Sequence, residues 1–226
     1  MKTLMVTGAT SGLGLRVAIV ASQLCRVVAC GRNSNVLTML RKKHDCAIVQ
    51  GDINDWTLSE PPTINTIARE AQAYKVDAFV SCAGEYTTKL LHEMSDAEIA
   101  GMLNTNLVNT ILLLKRIMRT MLSRRKGTIV VVNSLAGKYA SANEAVYSAS
   151  KFGLRGFVEA VRSDYAKANV RILSVYPGAM RTPMAYHRND WTKLLDPVNV
   201  AKLIVDLCLK QKAMRLDDIE IRRTTY

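Results

Sequence analysis

Ile129-Val-Val-Val132 places four apolar β-branched residues in a row inside the run Thr128–Asn133. A strand with one wet face alternates apolar and polar residues, so a run without alternation belongs to a strand covered on both faces. Shorter runs of the same kind occur at Leu4–Val6, Arg26–Ala29, Ala47–Val49, Ala78–Ser81, Val170–Val175 and Ile219–Ile221. Between them lie longer segments with apolar residues at helical spacing: Gly12–Leu24, Val36–Lys43, Ile64–Tyr74, Asp96–Leu122, Glu144–Ala168 and Pro197–Leu209. Strands alternating with helices, and buried on both faces, predict a doubly wound α/β domain with a parallel sheet between helix layers. A length of 226 residues fits one such domain spanning 1–226. Glu60-Pro-Pro62 reads as a loop, and Pro177–Asp196 is the longest irregular stretch, a size that in compact domains usually serves function.

The first run leads directly into Thr7-Gly-Ala-Thr-Ser-Gly-Leu-Gly14, which opens the first helix. Glycines at 8, 12 and 14 permit a tight turn and close backbone approach to a pyrophosphate, with the free N–H groups of the helix start aimed at its oxygens. A glycine triplet alone is weak evidence, but here it stands in the strand–turn–helix context that the chemistry needs. A site specific for NAD places an acid about 20 residues after the turn to accept from the ribose 2′-OH. No Asp or Glu precedes Asp45, and the second run ends Ala29-Cys-Gly-Arg-Asn33. The planar donor fork of Arg32 suits a 2′-phosphate, so the expected cofactor is NADP(H).

Tyr147-Ser-Ala-Ser-Lys151 brings a phenol and an ammonium to one helix face. A nearby cation favours the phenolate and lowers its pKa from about 10, which suits proton exchange at a carbonyl or carbinol oxygen. Alone, this spacing is common on amphipathic helices. Here Ser134 lies thirteen residues earlier, at the C-terminal end of the apolar run, the sheet edge at which open α/β domains bind ligands.

Together, T-G-x-x-x-G-x-G at Thr7–Gly14 and the Ser134, Tyr147, Lys151 set resemble the short-chain dehydrogenase/reductase family. The resemblance extends along nearly the whole chain. It implies a Rossmann-type, seven-stranded parallel sheet with helices on both faces, and hydride transfer between a nicotinamide and a carbonyl or secondary alcohol. Tyr147 would be the general acid/base, Ser134 would polarise the substrate oxygen, and Lys151 would hold the nicotinamide ribose. Asn104-Thr-Asn-Leu107 resembles the family's helix motif, whose Asn holds a water in a proton relay. Asn106 fits it, with Asn104 and Asn109 as competitors. Gly8, Thr10, Ser11, Gly12, Leu13 and Gly14 would face the pyrophosphate, and Asp52 and Ile53 the adenine. Ala83 and Gly84 match the end of the family's N-N-A-G, whereas Ser81 and Cys82 replace its asparagines and remove a side-chain tie in the central sheet. Pro177, Gly178 and Thr182 resemble the segment that meets the nicotinamide, and a short lid over 179–196 carries Tyr186, His187 and Trp191, which either contact substrate or pack the lid. The resemblance further implies a homodimer or homotetramer built on the helices around Asn106 and Tyr147. The end Asp217–Tyr226 lacks the glycine-rich close of the family's ketoacyl-carrier-protein reductases, which weighs against fatty-acid elongation.

Composition sets the remaining bounds. No run approaches the ~18 apolar residues of a membrane span, and Met1-Lys2 leads straight into the first strand with no room for a signal peptide, so a soluble cytoplasmic protein with no membrane partner is expected. Cys25, Cys30, Cys46, Cys82 and Cys208 are odd in number and scattered, which argues for buried thiols over disulfides or a metal site. The net charge of +12 raises the alternative of a nucleic-acid binder, with Arg41-Lys-Lys43 and Arg124-Arg-Lys126 as its best runs. Neither has interleaved aromatics for base stacking, so no nucleic-acid partner is expected. A second alternative is a catalytically silent NADP(H)-binding regulator.

Overall fold

The computed structural model describes residues 1–55, 61–210 and 215–224. Seven parallel strands form one sheet: β1 (Thr3–Val6), β2 (Arg26–Gly31), β3 (Ala47–Gln50), β4 (Ala78–Ser81), β5 (Gly127–Val132), β6 (Val170–Pro177) and β7 (Asp218–Ile221), in the order β3-β2-β1-β4-β5-β6-β7. Among the described residues, seven α-helices connect or flank them: α1 (Gly12–Ser22), α2 (Ser34–His44), α3 (Pro62–Ala73), α4 (Asp96–Leu103), α5 (Asn109–Ser123), α6 (Ala145–Asp164) and α7 (Pro197–Leu209).

The absence of alternation in the strands has a direct structural cause. Successive side chains of one strand point to opposite faces, and here each face has its own core. Leu4, Val6, Val130 and Leu173 pack with Val17 of α1, Leu37 of α2 and Ile204 of α7. Met5, Ile129, Val131 and Ile172 pack on the other side with Ile67 of α3, Ile117 of α5 and Leu154 of α6. Burying each such side chain is worth about 1.5–3 kcal/mol. The sheet is therefore held from both sides, and its order reverses between β1 and β4, which opens a crevice at their C-terminal ends.

One expected element is divided. The segment Asp96–Leu122 reads as a single helix in sequence, but α4 and α5 are separated by a π-helical turn over Asn104–Val108. The extra residue in that turn follows from Asn106, whose side chain is captured by the loop after β4, as described below; π turns of this kind are typical of functional positions. Although Asp96–Ser123 is long and apolar enough to cross a membrane, Leu113, Ile117 and Met121 along it are buried against the sheet. Helix α3 starts at Pro62, whose missing N–H costs nothing at a first helical position. Glu60 lies outside the described residues. The irregular stretch Pro177–Asp196 is joined at its base, where Leu195 N donates to Ala179 O (3.0 Å), Arg181 N donates to Leu195 O (2.9 Å), and Arg181 pairs with Asp196 (3.2 Å).

The basic runs have local employment. Arg41, Lys42, Lys43 and His44 form the last turn of α2, where cations meet the negative end of the helix dipole. Lys126 pairs with Asp77 at 2.7 Å, and Arg124 donates to Val76 O.

All five thiols are free; four are buried and Cys82 is partly so. Burial pushes Cys46 up to about 11 and Cys82 and Cys208 to about 12, from 9.0, and raises Cys25 and Cys30 as well. These groups stay protonated in the folded chain at a pH where unfolded thiols ionise. The stability they contribute is complete below pH 9 and is lost as pH rises toward 12. Lys151 opposes them, since burial lowers it from 10.5 to about 8 and the unfolded chain then binds the extra proton between those values. With several thiols against one amine, the urea midpoint is expected to be lower at pH 10.5 than at pH 7.5. An equal or higher midpoint at pH 10.5 would mean the thiols are not held away from water.

Candidate active site

The glycine turn hangs between the two strands that flank β1. Thr7 N donates to Val80 O (3.1 Å) on the β4 side, and Ala9 N donates to Cys30 O (3.0 Å) on the β2 side. Gly8 has φ +67°, and a Cβ there would stand 2.9 Å from Ala83 N and from Cys82 O. At Gly14 a Cβ would lie 2.3 Å from Gly8 O. Both positions therefore admit only hydrogen, the first because of conformation and contact, the second because helix and turn touch. Ser11 precedes α1 with its backbone extended and its side chain makes no capping bond, so the first-turn N–H groups face the crevice. A cradle of bare backbone and a helix start fits a pyrophosphate. Where Ser81 and Cys82 stand in place of the family's asparagines, the backbone N–H of Cys82 donates to Thr7 Oγ1 at 3.2 Å.

Ser134 directly follows Asn133 at the end of β5, and Tyr147 and Lys151 lie in the first two turns of α6. Asn133, 3 % exposed, joins these pieces: its Nδ2 donates to Lys151 O (3.2 Å) and its Oδ1 accepts from Ser134 N (2.9 Å). Burial raises Tyr147 to about 12; the nearby Ser134 hydroxyl pulls it down, and the charge of Glu144 pushes it further up. Lys151 Nζ lies 5.7 Å from the Tyr147 ring centroid and reaches Val132 O at 3.5 Å, and its own burial favours the neutral amine.

Among the three asparagines of the helix motif, Asn104 is exposed and Asn109 donates to Asn54 Oδ1 (2.7 Å). Asn106, fully buried, approaches the site. It accepts from Glu85 N (2.7 Å) and donates to Glu85 O (2.9 Å) and to Ser150 Oγ (3.1 Å). A Cβ on Gly84 would be 3.2 Å from Asn106 Oδ1 and 3.8 Å from Lys151 Nζ. The Asn106 side chain thus positions the loop after β4 from behind, and it does not line the crevice.

A single cavity of about 910 Å³ joins these parts. At one end are Thr10, Leu13, Arg32, Asp52 and Ile53; at the other, Ser134, Tyr147 and Lys151, with Ala83, Gly84, Pro177, Gly178 and Thr182 between. Arg32 and Asp52, expected at the two sides of an adenosine, form an ion pair of 3.3 Å with side chains 65 % and 39 % exposed. Exposed pairs of this kind contribute roughly 0–1 kcal/mol, so Arg32 leaves Asp52 for a phosphate at little cost. Thr182 lies over the glycine turn, its Cβ 3.5 Å from where a Cβ on Gly12 would be.

The lid residues divide. His187 lines the cavity, its ring stacked at 5.7 Å on Tyr86. Tyr186 and Trp191 do not line it; their rings pack together at 5.2 Å, and Tyr186 is 71 % exposed. Tyr86 is a residue that sequence reasoning missed. It meets Tyr147 edge to face at 4.9 Å and donates its hydroxyl to Glu144 Oε1 at 2.8 Å. Its only signal in the chain is its place two residues after Gly84. Glu144, Tyr139, Arg188, Arg222 and Arg223 also line this end and carry no motif.

This arrangement is that of a nicotinamide-dependent oxidoreductase, and the comparisons agree. Residues 2–193 match the family of short chain dehydrogenases. An uncharacterized oxidoreductase of Myxococcus xanthus is 32% identical over 191 residues, covering 83% of this chain and 76% of its own. The 3-oxoacyl-[acyl-carrier-protein] reductase of Escherichia coli is 28% identical over 84% of this chain and 78% of its own. A variant of actinorhodin polyketide ketoreductase solved with NADPH superposes with a TM-score of 0.86 at 24% identity, over 97% of this chain and 95% of that one. The chain belongs to the short-chain dehydrogenase/reductase family and is an oxidoreductase of that type.

Proposed function

We propose that the chain is an NADP(H)-preferring reductase of carbonyl compounds, working in reverse on secondary alcohols, with Tyr147 as its general acid/base. The observation that carries this reading is that Ser134, Tyr147 and Lys151, the last one turn further along α6, line the same cavity as the glycine cradle. The relative solved with NADPH supports the choice of cofactor, as does Arg32 at the cavity's far end with no acid before Asp45.

The nicotinamide supplies the hydride. The chain's own residues do the rest. Gly8, Gly12 and Gly14 and the start of α1 would hold the pyrophosphate, and Pro177, Gly178 and Thr182 would border the nicotinamide. Ser134 donates to the substrate oxygen and draws charge onto it. Tyr147 gives its proton to that oxygen as the carbon is reduced, so carbonyl becomes carbinol and the tyrosine becomes phenolate. Ser134 and the Lys151 ammonium stabilise that phenolate until it regains a proton from water. Asn106 and Asn133 hold these groups in register.

A homodimer or homotetramer on the α5 and α6 faces is part of the same reading, supported by exposed Val108 and Phe152 beside those helices. A cytoplasmic location is supported by five free thiols. The reading is tested by following absorbance at 340 nm with a panel of ketones and aldehydes. NADPH is expected to be consumed much faster than NADH. A faster rate with NADH would refute the role of Arg32, and binding of NADPH without consumption by any carbonyl would favour a silent regulator.

A further inference from the structure

The substrate end of the cavity is lined by three guanidinium groups that the catalytic set does not account for. They arrive from two distant parts of the chain. Arg188 comes from the lid. Arg222 and Arg223 directly follow β7, whose Ile221 is in register with Pro177 and accepts from Gly178 N at 2.9 Å. The strand pairing therefore delivers these two arginines beside the segment that borders the nicotinamide. Arg188 Nε and Nη2 grip Asp190 (2.8 and 3.0 Å), and Arg223 Nη1 donates to the same carboxylate at 2.7 Å. Two cations thus share one anion. Arg222 pairs with Glu220 (2.7 Å) and lies 4.8 Å above the Tyr139 ring. Glu220 is also held by Lys138 at 3.2 Å. Glu85 and Glu144 line the same cavity, and Glu144 accepts from the Tyr86 hydroxyl.

We propose that the substrate carries a carboxylate as well as the reacting carbonyl, and that Arg188, Arg222 and Arg223 bind that carboxylate. The proposal rests on the oxidoreductase reading above and deepens it. Asp190 shows the ligand class, since its planar carboxylate already lies between two of the three forks, and the arginines keep further N–H donors at an open edge, with Arg222 and Arg223 more than half exposed. The span is set by aromatic rings: Arg188 adjoins His187, which stacks on Tyr86, which meets Tyr147. Carbonyl and carboxylate must therefore be several bonds apart, as in a longer oxo acid and not a 2-oxo acid.

The test compares 5-oxohexanoate with methyl 5-oxohexanoate as NADPH-dependent substrates. The acid is expected to have at least a tenfold higher kcat/KM, through KM, and this advantage falls as salt is raised. In the double variant Arg222→Ala/Arg223→Ala the acid-to-ester ratio collapses toward one, while unchanged NADPH affinity and melting temperature show that the chain is folded. A second readout needs no turnover: the protein loaded with NADP+ is titrated calorimetrically with hexanoate and hexanamide, and the carboxylate is expected to bind at least tenfold more tightly. Equal handling of acid and ester, equal or absent binding of hexanoate, or an acid preference that survives in the double variant overturns the proposal. Those outcomes leave the oxidoreductase reading intact, whereas failure of every carbonyl to oxidise bound NADPH refutes that reading separately.

Discussion

Replacing Tyr147 by Phe is expected to lower kcat by about 10²–10⁴-fold, the range for loss of a positioned general acid, while NADPH affinity stays nearly the same. The phenylalanine ring retains the edge-to-face contact with Tyr86 and the packing of α6, so the fold and the cofactor cradle keep their shape. What disappears is a buried hydroxyl that lines the cavity beside Ser134. Single-turnover rates with NADPH and a ketone, beside NADPH binding followed by fluorescence, separate the two effects. Turnover within a few-fold of the parent would remove Tyr147 from its role.

Arg32→Ala is expected to reduce kcat/KM for NADPH by about 10–100-fold, the equivalent of about 1.5–3 kcal/mol for a hydrogen bond to a charged group. The effect should appear mainly in KM, and the NADPH-to-NADH ratio should narrow accordingly. Two features make Arg32 the group to change. It stands at the end of β2 in the adenine part of the cavity, and its present partner Asp52 holds it only by an exposed ion pair. The same variant frees Asp52, whose negative charge then opposes a 2′-phosphate. A ratio unchanged from the parent would show that the 2′ position is recognised elsewhere.

These two predictions rest on residues that the chain itself exposes to a reader, but other parts of the site were hidden. Arg222 and Arg223 follow a short strand with no motif, and they matter only because β7 pairs with β6. Tyr86 belongs to an irregular loop and gains meaning when His187, a hundred residues away, stacks on it. The lid triplet shows the limit from the other direction: Tyr186, His187 and Trp191 are indistinguishable in sequence, and the structure turns only His187 inward. The π turn at Asn104–Val108 is likewise invisible to periodicity, because one extra residue per turn is set by the Asn106–Glu85 bonds across the chain.

By itself, the sequence determined whatever depends on near neighbours. Strands apolar on both faces specified a sheet between two helix layers, the glycine spacing specified a turn that no side chain could enter, and the i, i+4 relation put Tyr147 and Lys151 on one face. Tertiary structure alone decided which asparagine is buried against the loop after β4, that Asn133 ties Ser134 to Lys151, that Thr7 takes up the N–H of Cys82, and that three arginines line the substrate end. The reason is physical: helix and strand periods act over a few residues, whereas hydrogen bonds and charges act between whatever the sheet order brings together.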